Sequence, residues 1–90
     1  MKKITKELIS KFRQYLIEEE KATATVEKYT RDINVFAAWL GEKTLDKETV
    51  LTYKESLTKN YAPASVNSGL SSLNSFFTFI DWYNLRVKNL

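Results

Sequence analysis

The chain has 90 residues, 14 Lys plus Arg against 11 Asp plus Glu, a formal net charge of +3, and neither Cys nor His. A length of this order holds one domain with one core, burying about 60% of the unfolded surface. The missing thiols and imidazoles exclude disulfides, cysteine nucleophiles, histidine bases and the side chains from which most transition-metal sites are built. The basic excess is compatible with nucleic acid or an acidic surface and proves neither.

With 43% hydrophobic residues, 28% charged residues, two Gly and one Pro, the composition is that of a helical domain without low-complexity segments. Near the N-terminus Ile4, Leu8, Ile9 and Phe12 are separated by charged residues. Neither a signal-peptide core nor a membrane span is read there, and a cytoplasmic location is expected.

Apolar periodicity predicts four helices. The first covers roughly residues 5–19, with Leu8, Phe12, Tyr15 and Leu16 on one side and Thr5 as N-cap. Glu18, Glu19 and Glu20 oppose the helix dipole at its end, so fraying is expected there, with a turn at Lys21 and Ala22. The second opens at Thr23 or Ala24, carries Val26, Tyr29, Ile33, Phe36, Ala37 and Leu40 as a stripe, and stops at Gly41. Thr44 or Asp46 caps a weaker third helix with Val50, Tyr53 and Leu57 on its apolar side. Pro63 fits the first turn of the fourth, which is expected over about residues 64–83. There Val66, Leu70, Leu73, Phe77 and Ile80 step by four and three, flanked by Phe76 and Phe79, and mark the central packing element. Residues 84–90 read as a trailing end or the start of a linker.

The stretch from Asn60 to Ile80 contains no charged residue. The fourth helix nevertheless has a polar face of Asn67, Ser68, Ser71, Asn74, Ser75 and Thr78, with Ser65 and Ser72 beside it. Solvated helix faces favour Lys, Glu and Arg, whereas Ser and Asn lower helix propensity. Small hydroxyl and amide side chains permit close approach, and they contact phosphates or base edges when a helix meets DNA. Packing against a neighbouring helix accounts for the same face. Thr23, Thr25, Lys28 and Arg31 lie at the start and on the non-core side of the second helix, where amides and dipole favour phosphate. An ordinary solvated face, with Lys28 and Asp32 paired at i,i+4, accounts for them equally. Lys2, Lys3, Lys6, Lys11 and Arg13 at one end and Arg86 and Lys88 at the other form basic ends, which could ride on phosphates or simply be solvated.

The run from Thr23 to Ile33, with Tyr29, Asp32, Phe36, Trp39 and Leu40 in step, resembles the first motif of the N-terminal core-binding domain of tyrosine recombinases and phage integrases. The run from Ala64 to Ile80 is similar to that domain's last helix. The resemblance implies an all-α, four-helix SAM-like fold over residues 1–83, forming half of a clamp around a recombination site. It implies DNA contacts by Thr23, Thr25, Lys28 and Arg31 on the first motif and by Ser65, Asn67, Ser68, Ser71 and Ser72 on the second. Tyr29 shares that motif but sits on the apolar stripe, where packing is its stronger role. The family often has Arg or Lys where this chain has Ser68 and Asn74, so a weaker positive potential is expected. The family's Asn-Pro after the last helix is also missing.

The implied function is duplex-DNA binding beside the strand-exchange site of a phage or integrative-element recombinase. The implied partners are double-stranded DNA, the catalytic domain of the full-length chain and neighbouring protomers, with no membrane, no cofactor and no metal. The family's catalytic constellation needs a His, so no Tyr here is nominated as nucleophile and a non-catalytic fragment is expected. The alternatives are a helical protein-interaction module and a small dimeric DNA-binding regulator.

Overall fold

The Thr5 hydroxyl accepts from the Leu8 amide at 3.1 Å and starts α1, Lys6–Glu18, in the computed structural model, which describes residues 2–90. Its end does not fray. The Glu20 amide donates to the Ile17 carbonyl (2.9 Å) and the Lys21 amide to the Leu16 carbonyl (3.1 Å), with Glu20 at φ 59°. These two bonds close a left-handed helix stop and satisfy carbonyls the helix would otherwise leave open, which outweighs the unfavourable carboxylates. The turn therefore falls at Glu20, just before the expected position.

α2 runs Thr23–Leu40 and stops at Gly41, φ 51°. Asp46, not Thr44, caps α3 (Lys47–Asn60): its carboxylate accepts from the Thr49 amide at 2.8 Å, and this bond holds the Asp46 carboxyl below its ordinary value.

α4 runs Pro63–Phe79, ending before the predicted Tyr83. The apolar pattern continues through Ile80 and Trp82, but Asp81 adopts φ 60°. Its amide donates to the Thr78 carbonyl (3.2 Å) and that of Trp82 to the Phe77 carbonyl (2.8 Å), a second left-handed stop of the same kind. A short 3₁₀ turn, Tyr83–Leu85, follows.

α4 is the axis of the core, and its most extensive packing partner is α2. Phe76 meets Phe12 of α1 edge-on, ring centroids 5.3 Å apart, and Phe77 meets Phe36 of α2 at 6.2 Å. Phe36 in turn packs on Tyr53 of α3 at 4.8 Å, so the aromatic residues join all four helices. On α1 the buried positions are Ile9, Phe12 and Leu16, while Tyr15 turns outward to lie against Phe79.

The tail is also part of this core. Leu85 is 1% exposed and Val87 5% exposed, so residues 84–90 are not the trailing end the sequence suggests. The left-handed turn at Asp81 sends the chain back across α3 and α4, which permits that burial. Among the described residues, no helix is long and apolar enough to cross a membrane.

Candidate nucleic-acid interface

α2 and α4 meet along a seam of polar side chains that packing alone would disfavour. Lys28 Nζ donates to Asp32 Oδ2 (2.7 Å), to the Ser68 carbonyl (3.0 Å) and to Ser72 Oγ (3.2 Å). Ser72 Oγ donates to the same Asp32 oxygen at 2.7 Å. All three ammonium donors thus have acceptors, and the Ser72 hydroxyl both accepts and donates. The pair is only partly desolvated, with the Lys28 side chain 32% exposed, so its charges remain paired without the full penalty of burial. The i,i+4 pairing of Lys28 with Asp32 is the one visible in the sequence; its bridge to α4 is not.

Beside this seam, α2, α3 and α4 enclose an open groove of about 530 Å³. Lys28, Arg31, Ser65 and Ser68 line it, so four of the nine residues singled out from the two motifs converge at one place. The Arg31 side chain is 68% exposed, with its Nε 3.8 Å from Asp32 Oδ1, and is free to turn outward. Tyr53 closes the floor; burial first, then the Asp32 charge and Tyr61, raise its hydroxyl pKa above the ordinary value.

The other five residues stand elsewhere. Thr23 is exposed and Thr25 half-buried in the first turn of α2, outside the groove. That turn has no side-chain cap, since its N-cap is Ala22. α4 likewise begins behind Ala62 without a side-chain cap, unlike α1 and α3. Ser71 is exposed, its hydroxyl donating to the Asn67 carbonyl at 3.0 Å. Asn67 is half-buried, and its side-chain oxygen accepts from the Leu90 amide at 2.7 Å.

Ser72 requires a correction. It is 0% exposed, inside the bundle between α2 and α4, and no DNA atom can reach it. Its position beside the apolar stripe looks like the edge of a polar face in a helical projection, but α2 covers that edge. Tyr29 is half-buried against the core, as its place on the stripe implies.

For one of the basic residues of the N-terminal end, the sequence concealed its nearness to the groove. Arg13 of α1 shares a shallow surface hollow with Arg31, Thr30 and Asn34 of α2. Eighteen positions separate the two arginines in the chain. Only the antiparallel crossing of α1 on α2 brings them together, so no local pattern points to the pair.

No curated protein and no solved structure is significantly similar to this chain. The family model described as phage integrase, N-terminal SAM-like domain, matches residues 9–84, from the core of α1 to the 3₁₀ turn. The four-helix, all-α architecture and the two motifs that meet across the α2–α4 seam agree with that match, and the chain belongs to the phage integrase N-terminal SAM-like domain family.

Proposed function

We propose that this domain grips duplex DNA beside the strand-exchange site of a tyrosine recombinase, acting as the non-catalytic half of a clamp in phage or integrative-element recombination. The observation that carries this reading is the convergence of Lys28, Arg31, Ser65 and Ser68, drawn from two motifs of an integrase-family domain, at one groove mouth. Arg31 supplies the mobile cation for a phosphate, with Arg13 close by. Ser65, Ser68 and Ser71 offer small donors and acceptors that let the helix approach a backbone closely. Lys28 contributes mainly by holding α2 on α4, because a phosphate would have to compete with Asp32 for its ammonium.

Affinity then comes chiefly from phosphates. About four to six contacts give a slope of log K against log salt of roughly −4 to −5. Chemical-shift mapping with a generic duplex tests the reading. Shifts at Arg13, Arg31 and residues 65–71, together with loss of binding in Arg31→Glu, are the expected result. Unmoved resonances on this side, with shifts elsewhere or binding that ignores salt, would overturn it.

A further inference from the structure

The segment after α4 is held as a bound peptide is held. Asn74 Nδ2 donates to the Val87 carbonyl (2.8 Å), and the Val87 amide donates back to Asn74 Oδ1 (2.9 Å). Seven residues earlier on α4, Asn67 Oδ1 accepts from the Leu90 amide. From the other side, Lys47 Nζ donates to the Arg86 carbonyl, and seven residues later on α3 Lys54 Nζ donates to the Lys88 carbonyl (2.6 Å).

The segment therefore lies extended between α3 and α4, with the backbone of Val87 facing α4 and that of Arg86 and Lys88 facing α3. Leu85 and Val87 point into the core, while Arg86 and Lys88 are exposed. Leu85 closes the 3₁₀ turn. From Arg86 onward the exposed, buried, exposed order of Arg86, Val87 and Lys88 is the alternation of a strand, read through its main chain by four side chains and through Leu85 and Val87 by the core.

None of these contacts depends on which chain supplies the strand. The link to α4 is short, and it holds Asp81, a non-glycine residue, at φ 60°. Asp81, Tyr83 and Asn84 are exposed, so within the link only the half-buried Ile80 and Trp82 would have to shift against the core for it to open. A short strained hinge joined to a well-recognised element favours exchange of that element between copies.

We propose that the α3–α4 groove is an exchangeable peptide site, filled by residues 85–90 of its own chain in the monomer and by residues 85–90 of a second copy in a reciprocal dimer. The occupant is buried through Leu85 and Val87 and extended from Arg86 onward, and the hinge is residues 80–84.

The absence of native Cys makes the test direct. K54C protein and K88C protein are prepared separately, mixed at high concentration and treated with a short bis-maleimide. A K54C protein paired with K21C serves as the collision control, and the K54C/K88C double variant in one chain reports docking within the monomer. Exchange predicts a K54C–K88C heterodimer in clear excess over the control. Asp81→Gly, which removes the left-handed strain, lowers that yield by about five-fold. Deleting Tyr83 and Asn84, which leaves the strand too short to reach its own groove, shifts the protein to dimer by sedimentation with helical circular dichroism retained. Closure of the double variant within one chain, with no heterodimer above the control and a monomeric hinge deletion, would overturn the proposal.

Discussion

The two flanks of α4 hold their neighbours by different means. On the α2 side, a lysine, a carboxylate and a serine hydroxyl are partly desolvated together, and each is tolerable only because the others are present. On the α3 side, the amides of Asn67 and Asn74 and, from across, the ammonium groups of Lys47 and Lys54 bond only the backbone of an irregular segment whose apolar residues supply the burial. The first arrangement fixes which residues must occur together. The second fixes the direction and register of a chain segment and is nearly indifferent to the exposed side chains of that segment. A face of small polar residues that looks uniform in sequence thus has three uses: Ser72 is internal, Asn67 and Asn74 serve the tail, and Ser65 and Ser71 remain on the outside with the half-buried Ser68 at the groove.

The largest effect should come from the apolar half of the tail seam. Leu85→Ala removes a fully buried side chain and should lower unfolding free energy in urea by about 2–5 kcal/mol. A loss below about 0.5 kcal/mol would mean that the tail is not part of the cooperative core.

On the α2 side, Asp32→Ala should cost about 1–2 kcal/mol, because Lys28 and Ser72 lose their shared acceptor while solvent still reaches the ammonium. The comparison sharpens with Lys28→Met combined with Asp32→Leu. That pair should recover most of the loss, since an apolar pair of similar volume needs no partner. An equally large loss in the double variant would show that the seam's charges stabilise beyond mutual compensation.

Asn74→Ala should cost about 1–2 kcal/mol by leaving the Val87 amide and carbonyl without their partner. Its amide exchange should show loss of protection at Val87 before any change in α2. Glu20→Gly acts in the opposite direction, relieving the left-handed φ at the end of α1 and raising stability by about 1 kcal/mol in the same urea titration.

The smallest effects are those of pH. The Asp46 carboxyl is lowered in the folded state, so its capping contribution is present above the ordinary carboxylate value and lost as pH falls through the folded one. The Tyr53 hydroxyl is raised by burial and by Asp32, so the fold keeps its full contribution below the ordinary tyrosine value and loses it as pH rises beyond. Thermal melts of Asp46→Ala and Tyr53→Phe against pH should flatten the acid and alkaline arms respectively.

The helices and their apolar stripes were legible because periodicity is local: Val66, Leu70, Leu73 and Phe77 had to share a face and are all buried. The cap at Thr5 and the pairing of Lys28 with Asp32 are local in the same sense. What the sequence concealed depends on distance along the chain. Ser72 is buried by α2 forty residues away, and Asn74 finds its partner thirteen residues later in a segment with no helical period. The apolar Leu85 and Val87 among polar neighbours are the hint that this segment returns to the core. The left-handed stops at Glu20 and Asp81 were equally hidden, because neither residue is the glycine that usually announces one.

The tail seam also behaves as a gauge of length. Seven residues of helix between Asn67 and Asn74 rise about 10.5 Å, and three residues of strand between Val87 and Leu90 advance about 10 Å. Two different repeats are commensurate here by a margin far smaller than one strand residue. Substitutions at Lys88 or Asn89 leave that match intact, whereas inserting or deleting a single residue between Val87 and Leu90 moves one anchor by about 3.3 Å and forfeits it. Length, more than composition, is what this segment of the chain must preserve.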